Sequence, residues 1–299
     1  MKVGVFPSPL RYPGGKGKIA NFMKAVFLKN SFVGAEYVEP YAGGASVALA
    51  LLFEEYASHI HINDLNRSVY TFWKTVLSSP TELCDRIQNA ELSVEEWTKQ
   101  RALQHDPEVS DLDLAFSTFY LNRTSRSGIL RGGIIGGKDQ TGPWKMDARF
   151  NKPDLIERVR KIARFSSRIT VTECDAADLI RSYASAPPQP TFLYIDPPYY
   201  VRGQDLYQNF YEPDDHKEIS RLVKALQVPW MVSYDANPEV AKLYKGYQAM
   251  QYGLSYSAGG RYSGSELIFF GPGVDSLTST DPRSVTTDDV RRLKIAVID

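Results

Sequence analysis

Asp196-Pro197-Pro198-Tyr199 is the run of residues best suited to chemistry in this sequence. It directly follows Phe192-Leu193-Tyr194-Ile195, an apolar run that reads as a strand. A carboxylate at the carboxyl end of a strand stands where open α/β sheets bind their ligands. The chemistry it suits is that of an amine whose lone pair is delocalised into a ring, such as the exocyclic amine of adenine. Asp196 can accept one N–H of such an amine while the Pro197 carbonyl accepts the other, which favours rehybridisation as the nitrogen attacks. Pro197 and Pro198 have no N–H of their own, stiffen the turn and leave their carbonyls available. Tyr199 offers a flat face against which a base can stack.

A second run, Glu39-Pro40-Tyr41-Ala42-Gly43-Gly44-Ala45-Ser46, lies between a short strand and an Ala/Leu-rich helix. Small residues there let the backbone approach a ligand at a helix N-terminus. Asp64 ends the next strand, where an acid suits the ribose hydroxyls of a nucleoside, and where it also suits a helix N-cap. Pro13-Gly14-Gly15-Lys16 is a Gly-rich turn opening a helix, without the glycine spacing of a phosphate loop.

The elements that must hold these residues follow from periodicity. Ile19 to Leu28 is apolar at helical spacing, residues 36–39 and 59–64 read as strands, and residues 45–56 and 66–77 read as helices. Strand, helix, strand, helix at this spacing predicts parallel βαβ units. Residues 80–120 read as helical with a break at Pro107. Residues 122–151 are basic, polar and Gly-rich with little periodicity, as in a functional loop or a disordered one. A helix over 153–164 leads to strands at 169–172 and 191–195, a helix at 213–226, and strands at 230–233 and 266–270. Residues 276–299 read as a loose polar tail.

The chain has 299 residues, 35 Lys/Arg and 35 Asp/Glu, so net charge gives no argument for a polyanionic partner. Its distribution does. Residues 121–164 hold eleven Lys/Arg against four Asp/Glu, the footprint of a phosphate-binding surface or of a solvated face balanced elsewhere. No run of about 18 apolar residues predicts a membrane span, and the N-terminus does not read as a signal peptide. Cys84 and Cys174 form neither a disulfide framework nor a metal pattern, so a cytoplasmic protein with reduced thiols and no metal is expected.

Taken in order, these motifs resemble the Dam-like (D12 class) DNA adenine-N6 methyltransferases. Arg11-Tyr12-Pro13-Gly14-Gly15-Lys16 resembles the family's N-terminal motif and Glu39 to Ser46 its glycine motif. Asp64-Leu65-Asn66 resembles its ribose motif, Asp196 to Tyr199 its catalytic motif, and Ser257-Ala258-Gly259-Gly260-Arg261 through Glu266 a late segment. The likeness spans roughly residues 10 to 270. The glycine motif departs from it, reading Gly-Gly-Ala where better-known members have Gly-x-Gly.

The resemblance implies a Rossmann-like α/β fold, a doubly wound, mostly parallel sheet with an inserted, mainly helical target-recognition domain. It implies a discontinuous catalytic domain of residues 1–77 and 165–275, with the insert at 78–164. S-adenosylmethionine is the implied cofactor, with Tyr12 and Lys16 at its methionine end, Asp64 on its ribose, and Glu39, Tyr41, Gly43 and Asp196 around it. Asp175 could accept from its adenine amine or simply cap a helix. Double-stranded DNA is the implied substrate, with the target adenine flipped out. Asn122-Arg123-Thr124-Ser125-Arg126-Ser127-Gly128 resembles the family's recognition loop. Asn122, Arg123, Arg126, Arg131 and Lys138 are therefore expected to bind DNA, the arginines by reading guanine or by touching phosphate. Asn122 and Arg123 could instead brace the loop. A restriction system with a cognate restriction enzyme, a phage or a regulatory circuit are all compatible settings. The rival readings are an RNA or protein-amide methyltransferase, for which Asn in place of Asp196 is usual, and a non-catalytic DNA-binding relative. A nicotinamide dehydrogenase lacks its glycine spacing here.

Overall fold

The computed structural model describes residues 7–12, 16–185, 187, 189–200, 211–256, 262–277 and 281–298. The chain forms two compact units. The first comprises Met1–Gly15 and Asn66–Ser167, the second Lys16–Leu65 and Arg168–Asp299.

The second unit is built on a seven-stranded sheet. Its strands are β1 (Glu36–Glu39), β2 (His59–Asn63), β3 (Ile169–Thr172), β4 (Thr191–Ile195), β5 (Trp230–Asp235), β6 (Gln248–Tyr256) and β7 (Tyr262–Phe270). Their spatial order is β3-β2-β1-β4-β5-β7-β6. The first five pair in parallel, and β7 runs antiparallel to both β5 and β6. This is the doubly wound, Rossmann-like α/β fold, with its switch point between β1 and β4.

The helices are, in chain order, α1 (Ala20–Lys29) and α2 (Ser46–Phe53) of the second unit, then α3 (Arg67–Ser78), α4 (Pro80–Gln88), α5 (Val94–Leu103), α6 (Asp111–Thr124) and α7 (Lys152–Ala163) of the first. The second unit resumes with α8 (Ala176–Ser182), α9 (Pro213–Lys224), α10 (Pro238–Leu243) and α11 (Thr287–Ile298). All five residues of β4 are buried, as a parallel strand covered on both faces requires. One face packs Val38, Leu193, Ile195 and Val232 against Ile219 and Val223 of α9. The other presents Phe192, stacked on Tyr37 at 6.2 Å, to Phe27 of α1.

Three features depart from expectation. The segment expected as a polar tail contains α11. Thr286 and Asp289 form a reciprocal cap at its start, and Val290 is buried. β6, which the sequence reading did not find, completes the sheet edge beside β7. The third is a boundary: α3 clusters with the first unit. Its buried residues Val69, Phe72, Trp73 and Val76 belong to an aromatic core with α6, where Phe72 stacks on Phe119 at 6.2 Å.

In the first unit α6 is central, and Leu114 through Thr124 are all buried. Phe150, just before α7, packs edge-on against Phe119 and Tyr120 at 5.4 and 5.7 Å.

Candidate active site

The site begins where β1 and β4 lie side by side. Their register, Val38 opposite Leu193, brings the carboxyl ends of two neighbouring strands level. β4 ends at Ile195, and Asp196 follows. Its carboxylate meets the Lys16 ammonium at 2.9 Å and accepts from the Ser233 hydroxyl at 2.5 Å. Ser233 is in turn paired with Tyr194 at 2.7 Å. Lys16 also lies 3.2 Å from Glu266, a fully buried carboxylate that accepts from the hydroxyls of Tyr199, at 3.0 Å, and Tyr252. The sheet itself places Glu266, which pairs with Asp235 on β5 and with Tyr252 on β6.

Burial raises the pKa of Asp196. Lys16 opposes that rise and Glu266 adds to it. Burial also disfavours the charge on Lys16, yet Asp196 and Glu266 outweigh it and hold the ammonium well above its ordinary value. Pro197 is buried and Pro198 partly so. The Tyr200 N–H donates to Asp235 at 2.8 Å and pins the far end of the turn. Tyr199 departs from its expected role as an open stacking face. Only 3% of it is exposed, and the Lys16 ammonium stands 5.6 Å from its ring centre.

The glycine turn follows β1. Glu39 is buried and accepts from the Tyr37 hydroxyl at 2.9 Å and the Ala48 N–H at 3.2 Å. It thereby caps α2, whose own N-cap residue, Ala45, gives no side-chain bond. Burial raises the Glu39 pKa to about 8, against the two hydrogen bonds that lower it. Gly43 and Ala45 have φ of 47° and 46°, so the turn bends through the left-handed region twice. That bend aims the Gly43 N–H at Asp64, which accepts it at 2.9 Å. Tyr41 pairs its hydroxyl with that of Tyr211 at 2.9 Å.

Asp64 is itself positioned by a buried neighbour. The Asn63 amide donates to the Pro40 and Cys174 carbonyls, both at 3.0 Å. Its oxygen accepts from the Thr172 hydroxyl and the Cys174 N–H. One side chain thus ties together the ends of β1, β2 and β3. Asp175, just beyond, accepts from the Ala177 N–H at 2.7 Å as the N-cap of α8. Glu39, Gly43, Asp64, Asp175 and Asp196 therefore line the carboxyl edge of one sheet. Lys16 joins Asp196 and Glu266 there. Residues 13–15 of the N-terminal motif and 257–261 of the late motif lie outside the described residues. Tyr12 belongs to the first unit.

The expected DNA contacts lie in the first unit as well, and two of them are buried. Asn122 and Arg123, at the end of α6, are buried. Asn122 accepts the Arg11 N–H at 2.7 Å and donates to the carbonyls of Arg11 and Gly128 at 2.6 and 3.0 Å. Arg123 donates to the Pro9 carbonyl through Nε at 2.6 Å and through a second nitrogen. Both brace segment 9–11: Asn122 through its bonds to Arg11, and Arg123 through Nε and one terminal nitrogen on the Pro9 carbonyl. By contrast, Arg126, Arg131 and Lys138 are exposed.

An acid after β2 and an Asp-Pro-Pro-Tyr turn after β4 stand on the sheet order of a Rossmann-like fold. Residues 12–257 match the family of D12 class N6 adenine-specific DNA methyltransferases, and the chain belongs to that family. The Type II methyltransferase M.MjaIII of Methanocaldococcus jannaschii is 20% identical over 262 residues, which cover 80% of this chain and 88% of that protein. Among solved structures, a provisionally named RNA methyltransferase from Pyrococcus horikoshii aligns over 86% of this chain and 82% of its own, at 9% identity and a TM-score of 0.38.

Proposed function

We propose that the chain methylates the N6 amine of adenine in duplex DNA, using S-adenosylmethionine, with the adenine turned out of the helix. The observation that carries this reading is the position of Asp196, a polarised carboxylate at the switch point of the sheet, level with the Glu39 turn. The donor set fits the cofactor. Asp64 has a carboxylate at the end of β2 suited to ribose hydroxyls, and the left-handed Gly43–Ala45 turn brings backbone close beside it. Glu39, Tyr41 and Asp175 would complete that edge, and Tyr12 is assigned to the methionine end by family likeness. When bound, S-adenosylmethionine supplies a methyl group on a positively charged sulfur.

Asp196 accepts one N–H of the adenine amine and the Pro197 carbonyl accepts the other. Lys16 and Ser233 hold the Asp196 carboxylate in one orientation. Such pre-alignment is a large share of what an enzyme contributes to a displacement. Asp196 need not be a strong base, because the amine becomes acidic only as its new bond forms. Tyr199 serves through its hydroxyl, which fixes Glu266 and so Lys16. Turning out the base costs a few kcal/mol, on the order known for enzymes of this kind. Exposed Arg126, Arg131 and Lys138 contact the duplex. Arg131 and Arg126 are suited to guanine O6 and N7 as well as to phosphate.

The test is Asp196→Ala. Methyl transfer to duplex DNA, followed with a radiolabelled methyl group, should disappear while DNA affinity stays. Appreciable turnover by this variant sinks the assignment. Offering duplex DNA, RNA and protein side by side as acceptors decides the substrate class. Asp64→Ala should weaken S-adenosylmethionine binding in calorimetry by about tenfold or more, the scale of a lost hydrogen bond to a charged group.

A further inference from the structure

The chain has four tryptophans. Trp73, Trp97 and Trp230 are buried, whereas Trp144 is 70% exposed. A lone exposed indole on a slack loop would mean little. Trp144 sits on a loop built to a fixed shape. The Gly142 N–H donates to the Gly136 carbonyl at 3.1 Å. Gly136 is left-handed, and a Cβ there would lie 2.9 Å from the Trp144 carbonyl. A Cβ on Gly142 would lie 2.9 Å from the Gly136 Cα. The Gln140 side chain donates to the carbonyls of Ile135 and Gly137 and accepts the Met146 N–H at 3.0 Å. Ile134 and Met146 anchor the two stems in the core. The indole therefore stands clear of the core only two residues from a buried methionine.

Its surroundings select the partner. Exposed residues of segment 126–149 include Arg126, Arg131, Lys138, Lys145 and Arg149, against exposed Asp139 and Asp147. A protein-docking patch gathers apolar neighbours around its aromatic anchor. Here the residue after Trp144 is an exposed lysine, the setting in which proteins stack bases on an aromatic face beside a phosphate-binding cation.

We propose that Trp144 is a DNA-stacking residue, whose indole packs on a nucleobase while Lys145 and Arg149 engage phosphates. This rests on the reading of DNA as substrate and adds a contact to it.

The test uses the intact protein and a fluorescein-labelled duplex of mixed sequence. Anisotropy reports binding. Iodide quenching of tryptophan emission reports Trp144, because the other three indoles are buried. Bound duplex should cut the iodide quenching constant several-fold. Trp144→Ala should weaken binding by about five- to a hundredfold, and Trp144→Phe should restore most of it. Because stacking releases no counterions, Trp144→Ala should leave the salt slope of affinity unchanged, whereas Arg149→Ala should lower it by about one. Binding seen by anisotropy with quenching and Trp144→Ala affinity both unchanged overturns the stacking role and leaves the substrate reading intact. No binding by anisotropy overturns both.

Discussion

The ammonium of Lys16 stands 2.9 Å from Asp196 and 3.2 Å from Glu266, so one buried cation serves two carboxylates that come from different strands. Asp196 follows parallel β4, and Glu266 is the middle residue of antiparallel β7, paired with the last residue of β5, Asp235. Tyr199 and Tyr252 add hydroxyl donors to Glu266, and Ser233 adds one to Asp196. The acid proposed to orient the substrate amine is therefore the half-buried end of a buried polar network. Such networks are stabilising only while every member is satisfied.

Replacing Lys16 with Met should break that balance. Burial and Glu266 both raise the Asp196 pKa, and Lys16, by its charge and its hydrogen bond, opposes them together with the Ser233 hydroxyl. Without it the carboxyl protonates at higher pH. The acid limb of the pH–rate profile should move to higher pH. Stability should fall by about 3–5 kcal/mol, as when one partner of a buried pair is removed. Glu266→Gln in the same chain should recover part of that loss. An unmoved acid limb in the Lys16→Met enzyme removes Lys16 from control of Asp196.

Glu39 makes stability depend on pH in the less familiar direction. Its pKa is raised from 4.5 to about 8, so the folded chain keeps a proton that the unfolded chain has released. Its contribution is complete below the unfolded value and is lost as pH rises towards 8. The slope approaches about 1.4 kcal/mol per pH unit within that window. Glu39→Gln keeps an oxygen for Tyr37 and Ala48 without the titration. Thermal melts across the window should show wild-type stability falling relative to Glu39→Gln. Parallel curves for the two proteins would falsify a protonated Glu39.

The parallel half of the site was legible from residue types. Asp64 and Asp196 could be read because each follows a strand-like run, and a parallel strand displays its last residue at the ligand edge. The same logic applied to Trp230-Met231-Val232-Ser233 points to Ser233. Glu266 escaped for a physical reason. β7 is antiparallel, so its beginning, not its end, reaches that edge, and nothing local in Glu266-Leu267-Ile268-Phe269-Phe270 reveals strand direction. Asn63 reads only as part of the strand at 59–64, because nothing local marks the amide before Asp64 as a tie to the ends of β1 and β3. Asn122 and Arg123 misled because Arg and Asn are chosen both for bases and for buried carbonyls. Only the position of segment 9–11 separates the two uses. The helix at 287–298 had a visible signal in Thr286 and Asp289, outweighed by polar composition.

Arg123 and Arg131 should therefore part company on mutation. Arg123→Ala strands the Pro9 carbonyl and empties a buried site, and should cost about 2–3 kcal/mol in denaturant unfolding. Its effect on DNA preference should be uniform across sequences. Arg131→Ala, at an exposed position, should alter stability by less than about 0.5 kcal/mol. It should relax preference at one base pair if its side chain reads a base, or lower affinity for every sequence if it holds phosphate. Equal destabilisation by the two variants would contradict the buried, bracing position of Arg123.

Gly128 closes the same brace from the other side, and its replacement distinguishes close approach from backbone strain. It has φ of 77°, and a Cβ there would lie 2.5 Å from the Arg11 carbonyl oxygen and 2.9 Å from the Arg11 Cβ. Gly137 has nearly the same φ, 79°, with nothing within 4 Å of the added carbon. Gly137→Ala should then cost only the left-handed penalty, about 1–2 kcal/mol. Gly128→Ala must also push segment 9–11 away from the Asn122 amide, losing bonds at 2.7 and 2.6 Å. Its total should exceed that of Gly137→Ala by at least about 1–2 kcal/mol, the cost of backbone bonds broken in a buried site. Chemical denaturation of the two variants compares them directly, and limited proteolysis locates the damage. New cleavage at Arg11 in Gly128→Ala, absent from Gly137→Ala, is the expected pattern. Equal unfolding free energies and identical digests would mean that the brace tolerates a methyl group at 128, with Asn122 and Arg123 still holding the N-terminal segment.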